Sequence, residues 1–316
     1  MNRKTREQLE GVRRTFRPRN VRFWHTTDYE DRSATLDMFT EDLHLGLMPH
    51  KGRPQRQVEL GLNGSETDKE RAMLLLASIS RDDYYDDCDT IVDAVETIAH
   101  YLSEYGEVVF EIVRDENAQA VGLSPFTPDS VRYVGVGWVQ LIPVREREHL
   151  DRPKRMMWFR TQEVFAIRMA GELGGHRGLR RLLKRLVRFE SFGPKFVQGD
   201  IEAGKWPAEV EFGDYHRQKQ VLDYTITNQW GWNGRDASLE YQTEFYQVWR
   251  WLRFQKTKAI LRHCILRRLN QFLADEQVNV TVFLRGLPTI DEMQSYEFRL
   301  LQGEIGFKEV YDGINL

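Results

Sequence analysis

Between Ala237 and Gln277 apolar residues recur at helical spacing without a proline or glycine to interrupt them, which predicts one very long helix. Phe245, Val248, Trp249 and Leu252 begin the stripe, and Ile260, Leu261, Ile265, Leu269, Phe272 and Leu273 continue it. Trp251 and Phe254 add apolar area beside it. At 1.5 Å per residue such a helix runs about 60 Å, whereas a compact chain of this size is about 50 Å across. An element so long and so apolar is expected to need neighbours beyond its own chain. That is a first indication of an assembly subunit.

The rest of the pattern predicts a small α+β core. Glu66 to Ser80 reads as a short helix. Residues 81–107 carry nine acids and one base, with a helical stripe at Ile91, Val95, Ile98, Leu102 and Tyr105 that Gly106 ends. A strand follows at Val108 to Val113, then a polar turn at Asp115–Asn117. Two further β-rich runs lie at Ser130–Val144 and Met156–Met169. From His176 to about Ser191 the period is helical again. Phe192 to Asp214 is a connector punctuated by glycine and proline, Asp214 to Asn228 fits a short helix or a strand, and Trp230–Gly234 is a turn. After the long helix come a strand at Val278–Leu284, a helix at Ile290–Leu301 and a tail from Gly303 to Val310. The chain thus divides into a basic arm (1–22), a loop-rich lead-in (23–66), an α+β core (67–214) and a long-helix region (215–316).

Composition narrows the class. The chain has 316 residues and a net charge of −3, so no global basic field draws it to nucleic acid. The charge is uneven: residues 1–22 hold eight Lys/Arg against two Glu, a net of +6 that leaves −9 for the remainder. Cys88 and Cys264 are the two cysteines, which fits a reducing compartment and neither a disulfide scaffold nor a structural zinc site. No apolar run is long enough to span a bilayer, and the basic start lacks the apolar core of a secretory signal. A soluble, intracellular protein is expected.

Candidate chemistry is sparse. Gly199-Asp-Ile-Glu-Ala-Gly204-Lys205 matches a phosphate-binding loop, but the next residue is Trp206, which has no hydroxyl for magnesium, and Pro207 follows. Without a helix N-terminus behind it the loop lacks aligned amides, so it is read as a decoy. The cluster Asp82-Asp83-Tyr-Tyr-Asp86-Asp87-Cys-Asp89 has carboxylates for a hard cation but not the glycine and distal glutamate of a calcium loop. Acids also favour a helix start by themselves. His263 and Cys264 are adjacent in the long helix and face different ways, and Cys264 reads as a small buried hydrophobe. No catalytic residue, cofactor site or metal site is nominated, and the chain is not expected to be an enzyme.

One constellation stands apart. Arg177, Arg180, Arg181, Lys184, Arg185 and Arg188 fall on one helical face, while Leu179, Leu182, Leu183, Leu186 and Val187 fall on the other. Like charges at this spacing cost a few tenths of a kcal/mol per pair. Three environments suit them: a phosphate backbone, an acidic surface such as 81–107 of a neighbouring subunit, or simply solvent. Arg250, Arg253, Lys256, Lys258, Arg262, Arg267 and Arg268, interleaved with Trp249, Trp251 and Phe254, form a second basic stripe that would suit stacking on bases or a mixture of core and interface.

Taken in order, these segments resemble the portal proteins of tailed bacteriophages. The pieces are an acidic helix ending Tyr101-Leu-Ser-Glu-Tyr-Gly106, the strand Val108-Val-Phe-Glu-Ile-Val113, Pro128-Asp-Ser-Val131-Arg-Tyr, and a strand ending Glu163-Val-Phe-Ala-Ile-Arg168. Then come Gly175-His-Arg-Gly178-Leu-Arg-Arg-Leu-Leu, the connector with Gly204-Lys-Trp-Pro207, the long helix, and Gly303-Glu-Ile-Gly-Phe-Lys-Glu309. The resemblance covers about residues 67–310. The chain is short for that family, with little room for a large clip or crown.

The resemblance implies an α+β fold with a small mixed sheet and long helices, assembling into a ring, usually of twelve copies. That ring would be the channel for packaging and ejecting double-stranded DNA and the head–tail attachment point. Implied partners are non-specifically contacted DNA, the major capsid protein, a head–tail adaptor and the packaging terminase, with no membrane. The implied location is the virion, assembled in the host cytoplasm. The competing readings are another head–tail adaptor or tail structural protein, and a basic-helix nucleic-acid-binding oligomer.

Overall fold

The computed structural model describes residues 34–48, 58–79, 87–126, 128, 130–141, 156–192, 220–221, 223–235 and 243–314. In chain order these form α1 (Ala34–His44), β1 (Glu59–Gly64), α2 (Glu66–Ile79), α3 (Asp87–Tyr105), β2 (Glu107–Arg114), β3 (Ala120–Pro125), β4 (Val131–Tyr133), β5 (Trp138–Leu141), β6 (Met156–Phe159), β7 (Val164–Arg168), α4 (Gly175–Phe192), α5 (Glu244–Asp275), β8 (Val280–Arg285), α6 (Ile290–Leu301) and α7 (Phe307–Ile314). The class is α+β. Its three small sheets, β1–β8, β3–β2–β7 and β4–β5–β6, are antiparallel.

The acidic helix forms where its stripe places it. Ile91, Ala94, Val95, Ile98, Ala99 and Leu102 are buried along one face of α3, and Gly106 follows at φ +75. A side chain there would meet His176, the ring nitrogen at 2.9 Å and the backbone at 3.3 Å. Gly106 is therefore also the point where α3, β2 and the start of α4 converge, and its carbonyl accepts from Met169 N.

Sheet partners depart from chain order. β7 leaves the run that begins at Met156 and pairs with β2, placing Phe110 opposite Phe165. β6, from the same run, joins β4 and β5 in a separate sheet. The edge strand β3 is absent from the sequence reading because Gly122 and Pro125 depress its β-propensity. It forms as the return arm of the hairpin from β2, at a sheet edge where proline costs no ladder bond.

The lead-in is likewise more ordered than expected. It holds α1, with Phe39 and Leu43 buried, and β1, which pairs with β8 across more than two hundred residues of sequence. The tail after Gly303 includes helix α7. The basic arm and the connector from 193 to 214 lie outside the described residues.

The long helix is real but begins later, capped by Thr243, whose hydroxyl accepts from Tyr246 N. Its 32 residues extend about 48 Å. Most of its apolar stripe is covered within the chain, though Phe245 at the start stays exposed. Val248 and Leu252 pack with Met293, Leu300, Val310 and Ile314 of α6 and α7, while Leu261, Ile265, Leu269, Phe272 and Leu273 enter the main core. The expectation from length alone fails because the residues after β8 fold back along the first half of the helix.

The helix closes with two crossed bonds, Gln277 N to Ala274 O and Val278 N to Leu273 O, and with Val278 and Leu273 both buried. This cap holds Gln277 at φ +59, a conformation that suits glycine. Gln277→Gly removes about 1–2 kcal/mol of left-handed strain, offset in part by a freer unfolded chain. A net gain of about 0.5–1 kcal/mol is expected in chemical denaturation.

Burial and, secondarily, the charge of Glu163 raise the Glu111 carboxyl above the ordinary carboxylate range. The folded state therefore holds that proton more tightly than the unfolded chain, and stability falls as pH rises through the window between the two values. Glu111→Gln should raise Tm at neutral pH and flatten its dependence in mildly acidic buffer. An unchanged pH profile would refute this assignment.

Candidate subunit and nucleic-acid interfaces

The basic helix α4 is launched by two consecutive glycines in the left-handed region, Gly174 at φ +82 and Gly175 at φ +62. Gly175 N donates to Ala170 O at 3.0 Å and Gly178 N to Gly174 O at 2.9 Å. Leu179, Leu182, Leu183 and Leu186 are buried, and the helix packs on α1 and α3. The opposite face carries Arg177, Arg181, Lys184 and Arg185, all exposed, with Arg180 half-buried. The backbone of Arg188 continues the helix; its side chain lies outside the described residues. None of Arg177, Arg181, Lys184 and Arg185 has an ion-pair partner among the described residues.

The acidic counterpart is differently placed from what the sequence implied. α3 already packs on α4 within one chain, and its Asp93, Glu96 and Glu104 are half-buried. Asp82 to Asp86 lie outside the described residues.

The second stripe, along α5, is not an open basic surface. Arg250 is fully buried. It donates through Nη1 to Tyr224 O (3.1 Å), through Nη2 to Thr227 Oγ1 (2.9 Å) and Trp232 O, and through Nε to Asn233 Oδ1 (3.2 Å). Its guanidinium lies 4.7 Å from the Tyr224 ring centroid. Arg262 reaches Leu47 O (3.1 Å) and Pro288 O (3.2 Å), and Lys258 reaches Leu45 O (2.9 Å). Burial is the largest influence on all three and lowers their pKa values, that of Arg262 to about 10.

Arg253 and Lys256 pair with Glu297 of α6, and Arg268 donates to Ala166 O. Trp251 packs on Tyr311, and Trp249 lies between Tyr246 and the Arg253 guanidinium. Arg267 is exposed and lies beside the Cys264 thiol. The rings that would have stacked on bases are occupied by the fold.

What the stripe does instead is hold the turn at 223–235, a role the sequence reading missed. Gly231, at φ +78, lies so close to α5 that a side chain would come 2.5 Å from Arg250 O and 2.8 Å from Phe254 N. Thr257 Oγ1 donates to Trp230 O at 3.0 Å. Trp230 and Trp232 grip Phe39 edge-on, at 5.7 and 5.4 Å, and Trp232 Nε1 donates to Asp42. The signal was the Trp-Gly-Trp-Asn-Gly run itself, whose central glycine marks a close backbone approach.

The remaining candidates resolve simply. The phosphate-loop match at 199–206 lies outside the described residues. Cys264 is buried, its thiol 3.6 Å from Arg168 O and its pKa pushed up by that burial. His263 beside it is exposed. No metal-ligating group occurs among the described residues, and no described helix is long and apolar enough to cross a membrane.

No family model and no curated protein matches the sequence. Among solved structures, the chain is similar to an HK97-family phage portal protein from Corynebacterium diphtheriae, with a TM-score of 0.42 at 10% identity over 90% of this chain and 95% of that one. It is also similar to a chain in the virion of a native gene transfer agent particle, with a TM-score of 0.45 at 11% identity over 98% of this chain and 99% of that one.

Arg250→Met removes the guanidinium donors of Tyr224 O, Trp232 O and Asn233 Oδ1 from a buried site and should cost about 2–4 kcal/mol. Limited proteolysis should then cut within 223–235 before other described segments. Equal protection in the variant and the parent would mean that the guanidinium is not what holds this turn.

Proposed function

We propose that this protein is a virion structural subunit of portal type, assembling into a ring around a channel for double-stranded DNA. The observation that carries the reading is the order of elements that underlies the resemblance. The acidic helix ends at a left-handed glycine, a strand leads into a small sheet, a glycine step launches a basic helix, and a long helix follows. The row of exposed cations on α4, without partners among the described residues, supports it further. Such a face suits phosphates that must slide past without being read, or a heterologous contact that closes a ring.

Apolar area left in water also favours assembly, though not where the sequence placed it. Val136 is 79% exposed in the turn between β4 and β5, Trp158 is 54% exposed on β6, and Phe298 is 59% exposed on α6. Under this reading the ring has about twelve copies, following the resemblance. It meets the major capsid protein, a head–tail adaptor and the terminase, and does no chemistry of its own. The exposed Arg177, Arg181, Lys184 and Arg185 of α4 also favour a second reading, a nucleic-acid-binding oligomer that is not a ring.

Negative-stain images of the purified protein should show rings with a central hole, and a monomer at micromolar concentration overturns the proposal. Replacing Arg180, Arg181, Lys184 and Arg185 together by Ala separates the two roles of α4. Rings that persist while duplex binding weakens, with its salt slope reduced by about one unit per lost contact, place the face on DNA. Loss of rings with duplex binding intact places it between subunits.

A further inference from the structure

A cleft of about 900 Å³ lies where the β2–β3 hairpin, the turn at Thr161–Glu163 and the end of α5 meet. Behind it lie Ile112, Val164, Phe165 and Phe272, all buried, the last two rings stacked with centroids 4.5 Å apart. Its rim carries Arg71, Arg114, Arg160 and Arg268. Arg114 is spent on the walls, forking onto both oxygens of Glu276 at 2.7 Å and donating to Ala118 O and Gln162 O. The other three keep donors to spare. Arg71 gives one bond to Glu276 O and Arg268 one to Ala166 O. The exposed Arg160 guanidinium has no partner among the described residues.

The acids nearby are already engaged. Glu276 is held by Arg114, Asp275 accepts from Gln271 Nε2 at 2.9 Å, and Glu163 accepts from Arg160 N at 2.7 Å. Three under-used guanidiniums around one cleft match a peptide that presents several carboxylates close together. The cleft is a poor match to a nucleic-acid backbone. Dense phosphate charge would meet Asp275 and the carbonyl end of α5, both negative.

The chain contains one segment of the fitting kind, Asp82-Asp83-Tyr84-Tyr85-Asp86-Asp87, with four carboxylates around two phenol rings. We propose that the cleft is a docking site for this segment of a neighbouring copy. Its carboxylates meet Arg71, Arg160 and Arg268. The contact joins two different surfaces, so it propagates from copy to copy and closes only as a ring; in that respect it rests on the assembly proposed above.

The test uses the full chain and a labelled synthetic peptide spanning residues 80–89. Fluorescence anisotropy should show the peptide binding. Arg160→Glu with Arg268→Glu should weaken it at least about tenfold, as should Asp→Asn at the four peptide positions, which leaves the protein's fold untouched. In mass photometry the double reversal should reduce assembly, and adding Asp82→Lys with Asp83→Lys in the same chain should restore it. Three results each overturn the proposal: peptide binding that ignores the cleft reversal, assembly that is reduced but not rescued, or displacement of the peptide by a duplex oligonucleotide. A monomeric parent that still binds the peptide at the cleft sinks the ring reading and leaves the docking site standing. Rings that the double reversal leaves intact do the reverse.

Discussion

The fold depends on cations of α5 that have been withdrawn from water and satisfied by backbone carbonyls. Arg250, Lys258 and Arg262 reach Tyr224, Trp232, Leu45, Leu47 and Pro288, segments far apart in sequence. A carbonyl dipole compensates a full charge incompletely, which is why burial pulls these pKa values down. Removing such a group leaves its acceptors without donors in a dry site, and that asymmetry makes the arrangement hard to leave. The long helix is therefore a spine in a chemical sense as well as a geometric one.

This has consequences for assembly. A helix whose stripe is covered by α6, α7 and the core has little apolar surface left to offer a neighbour. Under the proposed assembly, what the described residues leave open to a neighbouring copy is the cations of α4, the arginine-rimmed cleft, and the exposed side chains of the β4–β5–β6 sheet and α6. Two of these three are polar. An interface built on them is steered and salt-sensitive, unlike one resembling a domain core cut in half.

Much of this was legible from residues in order. The stripe of α3 and its terminal glycine, the central strand β2, the basic face of α4 and the span of α6 all follow from local periodicity and capping, because each is decided within a few turns of chain. The expectations that failed share a cause. β3 and β1 have poor local propensity and exist because a partner strand is presented to them. α1 sits in a stretch whose glycines and prolines read as loop, yet Phe39 is captured between two tryptophans almost two hundred residues away. The basic stripe of α5 looked continuous in projection, but what faces each cation is decided by elements that arrive later in the chain.

The amino-acid sequence alone determined the α+β class, much of the order of elements, and the placement of like charges on one helical face. These depend on spacing, which a linear chain displays directly. Only the tertiary structure decided which charges are free, which strands share a sheet, and that the longest helix is covered from within. Those outcomes turn on contacts between residues tens to hundreds of positions apart, where burial either consumes a side chain's bonding capacity or leaves it open, and no local pattern encodes that choice.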